Sequence, residues 1–595
     1  MTSNDKIPTS LLTVAEQSAF QRTGRTDEVG RLCEAFERTW PDAVRSFEYG
    51  RSAEGRPMLA LIASRAGTLS SEELKQRKIP VLMLQGGIHP GESDGKDAGF
   101  VALRELLSGA VARGSLEQLA ILFVPAFNTD GHERFGRWNR PNQDGPAETG
   151  WRATAQNLNL NRDYTKAEAP EMQAMLRLLN AWDPLVCADL HVTDGANFEP
   201  DISIQVEPIH QGDTLLHAAG VQLRDELIDK LAAQSSQPLP FYPDLVETDN
   251  PASGFHLTVY SPRFSTGYFA YRNRFTVLVE THSWKDYATR VRVTRNTIVG
   301  LTELVVAHGR KWLEETQRAD ATASRLAGAD VVLDYAAAWR EPAKRDPHTN
   351  DATDDTRDPD VTMIDFRGYA YTRTSSTISG ELVTVYDPNT PQIWRVPLRK
   401  NTAPSLVVQA PRGGYVVTAG HAREIGDKLA LHGIGFESLR TGSGTIDVGC
   451  FRAMRAEFTS VPYEGRTRAQ LHGSWRDEPQ QIPAGSLFVP IAQPLARLLM
   501  ALLEPQAPDS FAAWGFFNGW FEQKEYIEPY VAEIIARELL DSDASLAGEF
   551  KRRLETDLTF ANDPQARREF FHWRHASWDQ RFNLYPVYRL EKNPG

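Results

Sequence analysis

The sequence is poor in cysteine, has no long apolar run and carries no excess of basic residues. Its three cysteines, Cys33, Cys187 and Cys450, lie far apart, so no Cys-x-x-Cys zinc or redox motif exists. No apolar stretch reaches the length of a membrane-spanning helix, which is about 20 residues. The net charge of −13 argues against nucleic acid or an anionic membrane surface as the main partner. With 41% hydrophobic and 24% charged residues, the composition is that of a globular protein.

The N-terminal stretch MTSNDKIPTS also lacks the apolar core of a signal peptide. If Met1 is the native start, we expect a cytoplasmic protein. If a signal peptide has been removed, we expect a periplasmic or secreted one. The sequence leaves the oligomeric state open.

The 595 residues are too many for one hydrophobic core, and the sequence pattern changes along the chain. Residues 1–328 alternate apolar strands with amphipathic helices, which predicts an α/β fold with a mixed, mainly parallel sheet. Residues 329–360 are charged and lack apolar periodicity, which predicts a linker. Short alternating segments over residues 361–493 predict a β-rich accessory domain. Residues 494–595 are predicted to be a helical, aromatic-rich region.

The first candidate site follows a predicted buried strand over residues 81–84. Gly86 and Gly87 let the backbone turn, and His89 and Glu92 come directly afterwards. Imidazole nitrogens and carboxylate oxygens both ligate zinc, and α/β sheets present their active sites beyond the strand ends. The pair is therefore a candidate for two ligands of a divalent metal.

A third candidate ligand stands at another strand end. A catalytic zinc site needs three protein ligands and an open position for water. His191 follows the apolar run over residues 185–190 and supplies the third ligand. Asp189, two residues earlier, points to the same side of the strand and is a candidate partner of the imidazole. The sequence therefore predicts a Zn²⁺ site formed by His89, Glu92 and His191.

Hydrolysis of an amide also needs a base and a cation for the developing oxyanion. Glu280 ends the predicted strand over residues 276–279 and is the candidate base. Arg152 is the preferred cation, with Arg137 and Arg140 of the same loop as alternatives. A substrate carboxylate beside the scissile bond needs a planar bidentate donor, which Arg162 supplies together with its neighbour Asn161.

Taken in order, these residues resemble the motifs of the zinc metallocarboxypeptidases, the carboxypeptidase A-like family. The matching elements, within residues 49–289, are His89-Pro90-Gly91-Glu92, Trp151-Arg152, Asn161-Arg162, His191 and Glu280. The resemblance implies an α/β/α sandwich with a mixed eight-stranded sheet. It also implies that His89, Glu92 and His191 bind zinc and that Glu280 is the general base and acid. Arg152 would polarise the carbonyl, and Asn161 and Arg162 would bind the substrate's C-terminal carboxylate.

The family often places a tyrosine before the catalytic glutamate, where it closes over the substrate. Tyr260, Tyr268 and Tyr271 all precede Glu280, and the sequence does not choose among them. Ser265 and Thr266 suggest a polar wall of the specificity pocket.

The residues together predict a zinc-dependent carboxypeptidase that removes the C-terminal residue of a peptide with a free carboxylate. A zinc amidohydrolase on the same scaffold, such as an N-acyl amino acid deacylase or a murein-peptide amidase, would use the same groups. A third hypothesis is an inactive, enzyme-like binding module. The complete set of ligands, base and arginines argues against that hypothesis.

Overall fold

A mixed eight-stranded sheet forms the centre of the N-terminal half. The computed structural model describes residues 7–339 and 361–592. The strands of this half are β1 (Val44–Arg51), β2 (Pro57–Ala63), β3 (Val81–Gly86), β4 (Ala120–Val124), β5 (Val186–Val192), β6 (Ile202–Glu207), β7 (Pro238–Leu239), β8 (Asp244–Leu245), β9 (Phe255–His256) and β10 (Phe275–Thr281). The sheet runs in the order β1-β2-β4-β3-β5-β10-β6-β7.

The four central strands β4, β3, β5 and β10 are parallel to one another. Strand β1 pairs antiparallel with β2, β2 with β4, and β6 with β10, whereas β7 is parallel to β6. The predicted α/β fold with a mixed eight-stranded sheet is therefore confirmed. The carboxyl ends of the parallel strands meet at one edge, where an α/β sheet presents its functional residues.

Helices cover both faces of this sheet. They are α1 (Val14–Gln17), α2 (Thr26–Thr39), α3 (Ser71–Gln76), α4 (Asp94–Ser108), α5 (Thr129–Glu133), α6 (Pro170–Trp182), α7 (His217–Ala233), α8 (Ser265–Tyr271) and α9 (Tyr287–Ala323). Because strand side chains alternate, Leu82 and Leu84 pack with α2, α4, α7 and α9, whereas Val81 and Met83 pack with α6 and α8. This alternation produces the sandwich.

The C-terminal half contributes ten further strands within the described residues. They are β11 (Asp330–Ala337), β12 (Val361–Ser375), β13 (Leu382–Arg399), β14 (Thr402–Gln409), β15 (Gly414–Val417), β16 (Glu437–Ser438), β17 (Thr445–Phe458), β18 (Ala469–Gln481), β19 (Leu487–Pro490) and β20 (Val587–Leu590). Strand β11 pairs with β14, and β12 and β13 share a four-stranded sheet with β9 and β8. The remaining six form a sheet in the order β16-β19-β15-β20-β17-β18.

The predicted linker over residues 329–360 is wrong at its start, because residues 330–337 form β11. Val331 and Leu333 are buried there, and the strand pairs antiparallel with β14. The charged run that suggested a linker comes later, and residues 340–360 lie outside the described part of the chain. The boundary predicted after residue 493 stays a prediction, although β20 from the region predicted as helical pairs with β15 and β17.

The helices of the C-terminal half are α10 (Ala422–Leu431), α11 (Ala496–Leu503), α12 (Pro529–Ser542), α13 (Ala544–Thr556), α14 (Leu558–Asn562) and α15 (Pro564–His572). One continuous cluster of buried side chains joins the two halves. It contains Met83 of the central sheet, Met175 of α6, Leu499 of α11 and Trp514. The C-terminal half therefore covers the sheet face that carries α6 and α8. None of the helices in the described ranges has the length and apolar character that crossing a membrane requires.

Candidate active site

The turn after β3 presents two of the predicted metal ligands. Gly87 has a φ of +66°, a left-handed conformation that favours glycine. A Cβ at Gly86 would lie 2.8 Å from the carbonyl oxygen of Pro125, so the chain passes too closely for a side chain there. His89 and Glu92 follow this turn and are both buried. Two glycines therefore allow the tight turn that brings the ligand pair to the edge of the sheet.

The third predicted ligand and the predicted base come from the two neighbouring strands. Strands β5 and β10 are parallel, and His191 is the register partner of Glu280. Both side chains are buried, and both stand at the carboxyl ends of their strands. Residues that are distant in sequence therefore meet beside the turn after β3.

The side chains of His89, Glu92 and His191 converge. Each offers one ligand atom, and these atoms all lie within 4.8 Å of one another. Nδ1 of His89 lies 3.0 Å from one carboxylate oxygen of Glu92, and Nδ1 of His191 lies 2.9 Å from the other. Two imidazole nitrogens and a carboxylate are a ligand set typical of catalytic zinc.

The partners of the outer ring nitrogens orient both histidines. Nε2 of His89 lies 3.1 Å from Oδ1 of Asn159, and an amide oxygen only accepts, so Nε2 carries the proton. Nε2 of His191 lies 3.0 Å from the carboxylate of Asp189. Nδ1 of each ring faces the Glu92 carboxylate, so the two inner nitrogens and the carboxylate converge as the ligands of one metal ion would.

The electrostatics of the site fit the same ligand set. Burial lowers the pKa of His89 to about 4, so this imidazole is neutral at pH 7, as a ligand must be. Although burial opposes it, the Asp189 carboxylate raises the pKa of His191 well above its usual value, so this ring holds a proton that a metal ion would displace on binding. The pKa of Glu92 is lowered well below its usual value despite burial, mainly by His89 and Arg140. The cluster therefore attracts positive charge.

Glu280 has the properties of a proton-transfer group. It is 8% exposed, and its Oε2 has no hydrogen-bond partner within residues 7–339 and 361–592. Burial raises its pKa to about 8, and the nearby carboxylates of Glu92 and Asp189 act in the same direction. A buried carboxylate with a free oxygen and a pKa near neutrality can both accept and return a proton.

All seven predicted site residues line one pocket of about 200 Å³. They are His89, Glu92, Arg152, Asn161, Arg162, His191 and Glu280. The pocket is open to solvent at the sheet edge, and its wall also includes Ser265 and Thr266, which the sequence suggested as a polar wall. Ser265 donates a 2.6 Å hydrogen bond to Asp189, which ties this wall to the histidine partner.

The three arginines proposed for the oxyanion lie in different places. Arg152 lines the pocket, with Nη1 3.5 Å from Oε1 of Glu92. Arg140 is largely buried beside the pocket, with Nη1 3.1 Å from the same oxygen. The guanidinium of Arg137 instead stacks on the exposed ring of Trp138. Of the three, only Arg152 is among the residues that line the pocket.

Arg162 and Asn161 lie in the 3-10 turn Leu160–Arg162 and face the pocket together. The guanidinium of Arg162 lies 4.2 Å above the ring of Phe264, and its Nη1 donates to the carbonyl of Asn161 at 2.7 Å. Its Nε donates to the hydroxyl of Tyr463 at 3.1 Å. The guanidinium is therefore held in one orientation at the pocket wall.

Comparison with known proteins agrees with this geometry. Residues 29–271 match the family model Peptidase_M14, described as zinc carboxypeptidase. The match covers 243 of the 595 residues, all of them in the N-terminal half. Tyr49, His89, Arg152, Arg162 and His191 all fall within the matched residues, whereas Glu280 lies beyond them.

Several fungal carboxypeptidases are similar to this chain. "Probable carboxypeptidase 2" of Trichophyton verrucosum is 30% identical over 188 residues, which cover 31% of this chain and 32% of that protein. "Carboxypeptidase 2" of Trichophyton equinum is 24% identical over 481 residues, which cover 78% of this chain and 79% of that protein. The chain thus spans about a third of the first relative's length. A solved carboxypeptidase A from Helicoverpa armigera is 16% identical with a TM-score of 0.36, covering 49% of this chain and 75% of that one.

The structure distinguishes the three tyrosines that precede Glu280 in the sequence. Tyr260 lines the pocket, and its hydroxyl lies 3.3 Å from Oδ2 of Asp244. Tyr268 is fully buried, with its hydroxyl 2.9 Å from Nδ1 of His432. Tyr271 is also buried, and its hydroxyl is 3.4 Å from the carbonyl of Val332. Of the three, only Tyr260 is among the residues that line the pocket.

The sequence did not predict part of the pocket wall. Asp194, Tyr242 and Asp244 line the pocket but were not predicted. Tyr242 and Asp244 lie in a segment whose only regular elements are two-residue strands, so no periodicity marks them. Arg140 was considered only as an oxyanion donor. Its packing against Glu92 depends on Gly91, where a Cβ would lie 2.4 Å from Cγ of Arg140.

Proposed function

We propose that this protein is a zinc-dependent carboxypeptidase that hydrolyses the C-terminal peptide bond of peptides with a free α-carboxylate. The observation that carries the proposal is the single pocket shared by the histidine–glutamate cluster, the unpaired Glu280 and the two arginines. Metal ligands alone would suit many hydrolases. The guanidinium of Arg162, fixed in the wall of the same pocket, adds a binding point for a carboxylate, which is the distinguishing feature of a C-terminal residue.

His89, Glu92 and His191 would hold the Zn²⁺ ion through two Nδ1 atoms and a carboxylate. When bound, Zn²⁺ acts as a Lewis acid and lowers the pKa of a coordinated water. The protein's own contribution is the fixed orientation of the rings, through Asn159 behind His89 and Asp189 behind His191. These contacts keep the ligand nitrogens aimed at the cluster before any ion arrives.

Glu280 would transfer the proton. Its unpaired Oε2 accepts a proton from the attacking water and returns it to the leaving nitrogen of the scissile bond. The raised pKa of the buried carboxyl suits both halves of this task, because the group is neither a very weak base nor a very weak acid near neutral pH. A bound divalent cation would lower this pKa and favour the basic form.

The two arginines would have separate tasks. Arg152, next to Glu92, places its guanidinium where negative charge develops on the carbonyl oxygen. Arg162 and Asn161 would bind the substrate's α-carboxylate, which fixes the last peptide bond relative to Glu280. Tyr260 and Ser265 line the space next to this clamp, where the C-terminal side chain would lie.

The test compares peptides with a free C-terminus and the same peptides amidated there, with mass spectrometry of the products. We expect loss of the last residue from the free peptides, inhibition by a zinc chelator, and little turnover of the amidated ones. Release of an acyl group with the peptide left intact would indicate a deacylase instead. Protein purified without chelator should contain zinc; essentially zinc-free protein with no hydrolysis would indicate a binding module.

A further inference from the structure

A β-hairpin of the C-terminal half contacts the wall of the pocket in the N-terminal half, which is called the catalytic half below. Strands β17 and β18 are joined by residues 459–468, and Tyr463 and Arg466 bridge across the loop. Between them Glu464 and Gly465 have φ values of +49° and +77°. Positive φ at both central residues is typical of a tight two-residue hairpin turn. We refer to residues 463–466 as the hairpin turn.

The first contact of the hairpin turn is with the carboxylate clamp. The hydroxyl of Tyr463 accepts a 3.1 Å hydrogen bond from Nε of Arg162. The same guanidinium is held at Nη1 by the Asn161 carbonyl and beneath by the ring of Phe264. These two other supports come from the catalytic half, so Tyr463 is the contribution of the C-terminal half to the orientation of the clamp. In its bond with Arg162, the Tyr463 hydroxyl acts only as the acceptor.

The second contact leads to the histidine–glutamate cluster. The backbone N–H of Asn159 donates to Oε2 of Glu464 at 2.8 Å. The side-chain oxygen of the same asparagine lies 3.1 Å from Nε2 of His89. Glu464 therefore fixes the residue that orients a predicted zinc ligand.

Two further contacts hold the hairpin turn in place. Nε of Arg466 donates to Glu168 at 2.9 Å. The ring of Tyr463 stacks on Trp514, with ring centroids 6.1 Å apart and planes 12° apart. Trp514 is buried and donates from Nε1 to Thr165 of the catalytic half at 3.0 Å. Both end residues of the hairpin turn, Tyr463 and Arg466, are therefore held by contacts other than those with Arg162 and Asn159.

We propose that the hairpin turn is a working part of the substrate site. Tyr463 is a positioning residue that holds Arg162 in the orientation that receives the α-carboxylate, and Glu464 is a positioning residue that holds Asn159 against His89. This inference rests on the proposed carboxypeptidase function. It gives the C-terminal half a defined task, which is to complete the clamp and to steady a metal ligand.

The experiment for Tyr463 separates substrate binding from the chemical step. Tyr463→Phe removes only the hydroxyl and keeps the stacking on Trp514. For peptides with a free C-terminus, we expect KM to rise about tenfold and kcat to change less than about twofold, because a charge-assisted hydrogen bond orients the clamp. Tyr526→Phe changes a tyrosine that is 74% exposed in the same half, and it should leave KM unchanged. Melting temperatures show whether both variants fold like the wild type.

The experiment for Glu464 uses metal binding as its measurement. Glu464→Ala should weaken zinc affinity about three- to tenfold in competition with a chelator. The reason is that Glu464 holds Asn159, and Asn159 orients the predicted ligand His89. Glu464→Gln keeps an acceptor oxygen and should recover most of that affinity. Wild-type KM in Tyr463→Phe together with wild-type zinc affinity in Glu464→Ala would overturn this inference and leave the carboxypeptidase function intact. Absence of C-terminal hydrolysis by the wild-type protein would overturn the proposed function itself.

Discussion

His191 and Glu280 are register partners on the adjacent parallel strands β5 and β10. One is a predicted metal ligand and the other the predicted base. Their backbones are joined by the hydrogen bonds of the sheet, so their separation depends on the most rigid part of the domain. A base that must act on a water beside the metal gains from this arrangement, because neither group depends on a loop for its position.

Glu280→Gln tests the base. The amide fills the same space but cannot take a proton, so we expect kcat to fall at least about a hundredfold. Zinc content, measured by atomic absorption, should stay at the wild-type level because Glu280 is not one of the three ligands. Glu73→Gln, an exposed change on α3, is the matched control. Turnover at the wild-type rate in Glu280→Gln would mean that another group transfers the proton.

Asp189→Asn tests the orientation of His191. The Asp189 carboxylate accepts from Gln85 at 2.8 Å and from Ser265 at 2.6 Å, and it lies 3.0 Å from Nε2 of His191. An amide at this position turns a donor towards one of these groups. We therefore expect zinc affinity to fall about 10- to 100-fold in competition with a chelator.

The control for this experiment is Asp201→Asn, which alters another buried aspartate whose carboxylate accepts from the backbone of Gln237. It should lower stability without changing zinc affinity. Equal zinc affinity in Asp189→Asn and the wild type would show that the orientation of His191 does not depend on Asp189.

The position of Asp244 indicates that the pocket prefers a positively charged C-terminal side chain. It lines the wall next to Tyr260, and Asp194 adds a second carboxylate there. We expect a peptide ending in lysine to have a higher kcat/KM than the same peptide ending in glutamate. Asp244→Asn should reduce this ratio about fivefold, as expected for loss of one partly exposed ion pair. Asp229→Asn on the exposed face of α7 should leave the ratio unchanged, and the same ratio in both variants would contradict the assignment.

Protonation of the buried His432 side chain is expected to make the free energy of unfolding depend on pH. It lies between the two halves, with Nε2 2.9 Å from the carbonyl of Thr165, Nδ1 2.9 Å from the hydroxyl of Tyr268, and Arg272 and Lys428 nearby. Burial lowers its pKa to about 3, and the two cations act in the same direction. Because the folded pKa lies below the unfolded one, the stability from the neutral ring is fully present above about pH 6.5 and is lost as the pH falls towards 3.

Denaturant unfolding at pH 7.5 and pH 5.0 measures this effect. His432 should account for roughly 2 kcal/mol of the loss in unfolding free energy between these pH values. His432→Gln removes the ionisable ring, so its unfolding free energy should change less over the same interval. An identical change in the variant and the wild type would show that the pKa of His432 does not differ between the folded and unfolded states, and that other groups cause the pH dependence.

The main features of the catalytic half could be predicted because they depend on short-range patterns. The strands over residues 81–84, 120–124 and 276–279 are buried on both faces, so each is a continuous run of apolar or β-branched residues. The polar residues directly after such runs, including His89 and Glu280, lie at the sheet edge as expected. The ordered motif set then indicated their separate roles.

The rest of the site depends on contacts that no local pattern records. Tyr463 and Arg162 are 301 residues apart in sequence, and their hydrogen bond exists only because the two halves share a core. Asp244 belongs to an irregular segment, where neither apolar periodicity nor a motif marks its position. Strand β11 was mistaken for a linker because its pairing partner β14 begins about 70 residues later.

Strand β20 has a consequence for the timing of synthesis. It lies between β15 and β17, so the six-stranded sheet is incomplete until residues 587–590 have left the ribosome. Strands β17 and β18 carry the hairpin turn that meets Arg162 and Asn159. In a chain that folds during synthesis, the residues around His89 and His191 are therefore available long before the sheet that carries the hairpin turn is complete.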